Sequence, residues 1–246
     1  MESSQTKPLL VLENRSRRDT ARYGATGFEG GYYPFANDYF ETPAEECAFV
    51  PCEINPNGAA ISIGSIGACT ADLPEFRSGM LVLDTNPRVV DVSKRVRNNA
   101  IRSNSPEESI QEIEKGFPRE VAAFRRERDN FGKLHWTEDY DRFRRQCGLG
   151  YFAMVGGNVA DRRFVGDLRL SLGGEPRITY INMTNVHQYI DGPDILRGML
   201  NRLPLNPEAV VHYSELAHGG LCRISYARGT NDYLQVARDT VGSLKV

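Results

Sequence analysis

Residues 59–99 read AAISIGSIGACTADLPEFRSGMLVLDTNPRVVDVSKRVRNN, and this stretch decides the fold. Ala59–Ile63 is a run of small and β-branched residues, which is typical of a strand covered on both faces. The glycine turn Gly64–Gly67 follows directly, and glycine lets a chain bend sharply while a ligand approaches the backbone. Met80–Leu83 is a second apolar run, and it ends on Asp84. The pattern predicts two buried strands whose ends can face a ligand.

The acidic end of the second strand indicates what that ligand is. Asp84 follows the first glycine of the turn by about 20 residues, the spacing at which nucleotide-binding folds place a carboxylate on ribose hydroxyls. Asn86 and Pro87 suit the N-cap and first position of a helix. The apolar positions of that helix are Val89, Val92, Val96 and Ala100. We interpret the stretch as the first βαβ half of a nucleoside-binding fold. The alternative is an α/β layer without a ligand, in which Asp84 is only a favourable charge at a helix N-terminus.

Composition restricts the class of protein. The chain has 246 residues, of which 40% are hydrophobic and 25% are charged, with a formal net charge of −2. This size fits one α/β domain, and the absence of a basic excess argues against nucleic acid as the main partner. No run approaches the roughly 20 apolar residues that span a bilayer, and Met1–Lys7 does not resemble a signal peptide. The five scattered cysteines predict neither a disulfide framework nor a zinc site. We therefore expect a cytoplasmic protein with a small-molecule substrate and no membrane span, and a homodimer is compatible with these features.

The N-terminal part differs from the rest of the chain. Met1–Arg22 is polar and rich in arginine, which predicts a solvated arm. Gly24–Phe40 alternates glycines with aromatic residues, which either cover a hydrophobic edge or close over the ligand site as a lid. An aromatic face can stabilise a sulfonium cation, and Arg22 or Tyr23 can reach a ligand carboxylate. We predict an N-terminal arm or lid over residues 1–48 and a ligand-binding α/β domain over residues 49–246.

Strands and helices alternate through the rest of the chain. Charged helical segments over about residues 103–148 predict an insertion between the second and third strands. The further predicted strands are Gly150–Val155, Ile178–Met183, Ala209–Tyr213 and an antiparallel edge strand, Leu221–Arg228. This alternation predicts an α/β fold with an open, doubly wound, mostly parallel sheet.

In such sheets, ligands bind beyond the carboxyl ends of the strands, where the strand order reverses. The cofactor-binding candidates at these ends are Gly64, Ser65, Gly67, Asp84, Thr85, Asn158 and Val159, with Tyr23 from the arm. The catalytic candidates, which follow the fourth strand, are Asn182, Thr184 and Asn185. Thr184 or Asn185 can equally cap the next helix. His212, at the end of a buried strand, is a further candidate for the pocket lining.

The ordered motifs ISIGSIG, LVLDTNP, VGGNVAD and YINMTNV resemble those of class I S-adenosylmethionine-dependent methyltransferases, over roughly Phe49 to Tyr213. The resemblance implies a Rossmann-like methyltransferase fold with S-adenosylmethionine as cofactor. It implies that the first glycine turn contacts the methionine part and that Asp84 holds the ribose. It also places adenine at Asn158 and Val159, and the sulfonium and acceptor at the end of the fourth strand.

LVLDTNP is also similar to the Asp-x-Asn-Pro signature of betaine-lipid 3-amino-3-carboxypropyl transferases. We expect an S-adenosylmethionine-dependent transferase, first of all one that moves a methyl group to a small molecule. One alternative is chemistry at the γ-carbon of the same cofactor, by aminocarboxypropyl transfer or cyclisation, which releases methylthioadenosine. The others are a NAD-dependent oxidoreductase, although the turn lacks G-x-G-x-x-G, and a non-catalytic nucleoside sensor.

Overall fold

The structure, a computed structural model, describes residues 8–19, 22–25, 53–64, 66, 73–119, 121–122, 125, 139–174, 177–183, 193–216 and 222–229. In chain order, the elements are α1 (Leu10–Arg18), β1 (Ala59–Ile63), β2 (Met80–Asp84), α2 (Pro87–Ala100), α3 (Pro106–Glu114), α4 (Tyr140–Gly148), β3 (Phe152–Gly156), α5 (Arg162–Ser171), β4 (Ile178–Asn182), α6 (Pro193–Leu200), β5 (Leu205–Leu216) and β6 (Cys222–Arg228). Residues 26–40, which contain all the aromatic side chains of the predicted lid, lie outside the described residues.

The six strands of the described residues form one sheet in the order β3-β2-β1-β4-β5-β6. β1 to β5 pair in parallel, and β6 runs antiparallel to β5. The chain builds outward from β1 to β3 and then returns to the other side of β1 for β4, so the strand order reverses between β1 and β4. The doubly wound, mostly parallel sheet predicted from the alternating pattern is confirmed, as is the antiparallel edge strand.

Helices cover both faces of the sheet. On one, which we term the front face, α2, α3 and α4 pack against apolar side chains of the sheet, among them Ala60, Val82, Met154 and Val210. On the back face, α1, α5 and α6 pack against a second cluster, among them Ile61, Leu83, Val155 and Val211. This two-sided burial explains why the central strands are apolar at every position except a few near their ends. None of the described helices has the length and apolarity to cross a membrane.

The helix starts follow the local sequence. Asn86 caps α2 by accepting a hydrogen bond from the Arg88 amide (2.9 Å), and Pro87 occupies the first turn. Ser105 caps α3 in the same way through the Glu108 amide (3.2 Å), while the Glu108 carboxylate accepts from the amide of Asn104. This reciprocal pair is a capping box. The helix start predicted at Asn86 and Pro87 is therefore confirmed.

The interpretation of Met1–Arg22 as a solvated arm is wrong for residues 10–18, which form α1. Leu12 of α1 and Leu9, which immediately precedes the helix, are buried in the back-face core. The helix lies along β3, one of the two edge strands of the described sheet. Its buried Glu13 accepts a hydrogen bond from the Met154 amide (3.0 Å). An edge strand leaves backbone groups that need partners, and here a charged helix supplies them.

Glu13 also forms a buried ion pair with Arg97 of α2. The Arg97 guanidinium donates to both carboxylate oxygens of Glu13 (2.6 and 2.9 Å) and to the Phe152 carbonyl (2.8 Å). Burial acts to raise the pKa of Glu13, but the hydrogen bonds and positive charge of Arg97, helped by Met154 and Arg17, outweigh it and hold the pKa below 4.5. The pair joins α1, α2 and the edge strand.

Candidate functional site

The carboxyl edge of the sheet contains the bend that follows β1, next to the point where the strand order reverses. Gly64 has φ +115°, a backbone conformation that side-chain-bearing residues rarely adopt. Its amide donates to the Leu83 carbonyl (2.9 Å), so the bend stays against the end of β2. The Ile66 amide donates to Ser93 Oγ (3.3 Å), which ties the turn to α2. Ligands bind at this edge in doubly wound sheets.

Asp84 lies at the end of the neighbouring strand, β2. Its carboxylate accepts a hydrogen bond from the Asn86 amide (2.7 Å), and its carbonyl accepts from the Gly157 amide (2.8 Å). The side chain is half-buried, and within the described part of the chain no cation pairs with it. Burial therefore raises the pKa of Asp84, and the hydrogen bond from Asn86 only partly opposes this. The carboxylate retains acceptor capacity that no other described residue uses.

A row of buried polar side chains crosses the front face at the same edge. The register pairs Ser62 of β1 with Asn182 of β4, and Asn182 with His212 of β5. Asp84 shares this face, because Met80 and Val82 of β2 face it and side chains alternate along a strand. Sequence reasoning missed Ser62, although it is a lone polar residue in an apolar strand. Its hydroxyl has no hydrogen-bond partner among the described residues, which suits a position beside a ligand.

His212 is held in its neutral form within this row. Its Nδ1 lies 2.9 Å from the Tyr180 hydroxyl, and the residue is fully buried. Burial lowers the pKa of His212 from 6.5 to about 3. The imidazole is therefore neutral at neutral pH and takes part in the row as a hydrogen-bonding group.

The pKa of His212 leads to a prediction for acid stability. The folded-state pKa lies below the unfolded value of 6.5, so the stabilisation is complete above pH 6.5 and is lost as the pH falls towards 3. We expect a contribution of about 2 kcal/mol to the stability lost between about pH 7 and pH 5. Urea unfolding of the protein and of His212→Gln at both pH values measures it, and the variant should lose less stability on acidification. An equal loss in both proteins would contradict the assignment.

The end of β3 meets the N-terminal segment. The Asn158 amide donates to the Tyr23 carbonyl (2.7 Å), and a Cβ atom on Gly157 would lie 2.7 Å from the Tyr23 Cβ. Glycine is therefore required there for close approach. The Asn158 side chain is exposed, and its oxygen accepts a hydrogen bond from the Ala160 amide (2.8 Å). Val159, which the sequence placed beside adenine, packs in the back-face core.

Tyr23 has a packing role that the sequence did not predict. The residue is fully buried, its ring lies edge-on to Phe164 at 5.7 Å, and its hydroxyl donates to Asp167 (2.9 Å). Arg15 and Arg22 also donate hydrogen bonds to Asp167. This carboxylate therefore binds the N-terminal segment to α5. The proposed contact between Tyr23 and a ligand carboxylate stays a prediction.

The predicted site residues therefore fall into three groups. Gly64, Asp84, Thr85, Asn158 and Asn182 lie at the carboxyl ends of β1 to β4. Tyr23 and Val159 belong to the back-face core. Ser65, Gly67, Thr184 and Asn185 lie outside the described residues.

Comparison with known proteins does not assign the chain to a family. No protein-family model matches the chain, and no curated protein matches it. The fold class follows from the sheet topology alone, and the function has to be argued from the carboxyl edge.

Proposed function

We propose that the protein is an S-adenosylmethionine-dependent transferase that moves a methyl group to a small molecule. The observation that carries the proposal is the Asp84 carboxylate, half-buried beside the Gly64 bend at the reversal of strand order. A desolvated carboxylate with unused acceptor capacity suits the two hydroxyls of a ribose, which donate to it. The nucleoside would lie across the ends of β1 and β2.

The neighbouring residues fit such a group. Gly64 allows the ligand to approach the backbone, and the buried hydroxyl of Ser62 lacks a partner among the described residues. When bound, S-adenosylmethionine supplies an electrophilic carbon on a sulfonium, so the protein has to orient the acceptor in line and exclude water. Asn182, which is buried and pairs with Ser62 in the sheet, would orient the acceptor. A neutral amine acceptor needs no strong base for this reaction, whereas a hydroxyl would.

The alternative reaction, attack at the γ-carbon of S-adenosylmethionine, is suggested by the Asp-Thr-Asn-Pro signature at residues 84–87. In the structure, Asn86 caps α2 and Pro87 begins it, so these two residues have a structural role that does not require γ-carbon chemistry. Methyl transfer therefore remains the first candidate.

Product analysis separates the candidates. The protein is incubated with S-adenosylmethionine, with and without a panel of small amines and alcohols, and the products are identified by mass spectrometry. S-adenosylhomocysteine that forms only with an acceptor supports methyl transfer. Methylthioadenosine indicates attack at the γ-carbon, and its formation without acceptor indicates cyclisation. Binding without turnover indicates a sensor, and tight binding of NAD in place of S-adenosylmethionine would refute the proposal.

A further inference from the structure

The structure contains a cavity at the amino edge of the sheet, opposite the carboxyl edge that holds Asp84. Its volume is about 390 Å³, within the range of small-molecule sites. Its described lining includes Gly58, Arg77, Ser78, Arg177, Thr179 and three asparagines. We propose that this amino-edge cavity binds a small oxyanion, such as the phosphate group of a small molecule.

The cavity is distinct from the proposed nucleoside site. Gly58 immediately precedes β1, Ser78 lies just before β2, and Arg177 immediately precedes β4. Each of these strands has five residues, which separates the two edges by about 15 Å at the usual rise per residue. One small ligand cannot occupy both edges.

Thr179 is the lining residue that most clearly indicates a bound ligand. It is 4% exposed, lines the cavity, and its hydroxyl has no hydrogen-bond partner among the described residues. It lies at an irregularity of the sheet, because β1 pairs Ala59 with Ile178 and the next residue, Ala60, with Tyr180. Such bulges redirect a side chain out of the regular alternation. A buried hydroxyl without a partner is unfavourable, and a ligand oxygen would remove that penalty.

The positive charge of the residues that line the cavity favours an anionic ligand. Arg77 and Arg177 supply two guanidinium groups, and none of the described residues that line the cavity is acidic. Arg177 is exposed and forms no ion pair within the described ranges. A guanidinium presents a planar fork of donors that matches the oxygens of phosphate or carboxylate. The asparagine amides and the hydroxyls of Ser78 and Thr179 add neutral donors around the same space.

Titration with inorganic phosphate at constant ionic strength tests the proposal. The backbone amide signals of Gly58 and Ser78 are followed by NMR in the protein and in the variants Arg177→Gln and Thr179→Val. We expect saturable shifts in the unmodified protein and affinity reduced by about fivefold or more in each variant. Arg163→Gln is the matched control, because Arg163 is exposed at the start of α5 and does not line the cavity. It should leave the affinity unchanged.

The Thr179→Val variant provides a second readout. Valine keeps the shape of threonine and removes the partnerless hydroxyl, so the melting temperature of the phosphate-free protein should rise while phosphate binding weakens. A threonine with only a packing role would leave the phosphate affinity unchanged. The absence of saturable shifts, or equal affinity in all variants, overturns the proposal. Asp84→Asn should retain phosphate binding, so failure of the nucleoside site and failure of this cavity are distinguishable.

Discussion

Replacing Asp84 with Asn should weaken the binding of S-adenosylhomocysteine by about 1.5–3 kcal/mol, which is roughly 10- to 150-fold. The amide lacks the charge that strengthens hydrogen bonds from ribose hydroxyls, and its NH₂ group would face those donors. The side-chain oxygen of Asn can still accept the hydrogen bond that the Asn86 amide now donates to Asp84. The start of α2 should therefore be preserved. Isothermal titration calorimetry measures the change.

The same substitution should also raise the melting temperature. The pKa of Asp84 is raised by burial, so its stabilising contribution is complete below the unfolded value of 3.8 and is lost as the pH rises through the folded value. At neutral pH the buried carboxylate therefore destabilises the protein, and a neutral amide removes this penalty. Asp141→Asn, at an exposed position in the first turn of α4, is the control: it should leave the dissociation constant unchanged and should not raise the melting temperature. An unchanged dissociation constant for Asp84→Asn would count against the ribose contact.

The largest loss of stability is expected for Glu13→Ala, at about 3–5 kcal/mol of the free energy of unfolding. The substitution leaves the Arg97 guanidinium buried without its carboxylate and removes the partner of the Met154 amide on the edge strand. Urea denaturation measures the loss. Glu112→Ala, which removes an exposed ion pair with Lys115, is the matched control and should change stability by about 0.5 kcal/mol or less.

The pH dependence of the Glu13 pair has a defined sign. Because the folded pKa lies below the unfolded value of 4.5, its contribution is present above pH 4.5 and is lost as the pH falls through the folded value. Glu13→Gln should remove this acid-sensitive part. A variant that loses as much stability as the unmodified protein below pH 4.5 would show that the pair does not contribute.

The sequence predicted those elements whose signals are local. β1 and β2 were evident because they are short apolar runs bounded by turn residues, and α2 because Asn86 and Pro87 precede regularly spaced valines. The prediction was weakest at the N-terminus. There the charged residues of α1 suggested solvent exposure, and their partners, Arg97 and Asp167, are distant in sequence.

The sequence by itself determined the strands, their directions and the position of Asp84 at the end of one of them. Local periodicity and helix capping act over a few residues and leave a readable pattern. The tertiary structure alone decided which strands are neighbours. That order joins Ser62, Asn182 and His212 in one buried row and brings Arg77 and Arg177 to one cavity. Strand order is set by burial between distant segments, and no local pattern of residues encodes it.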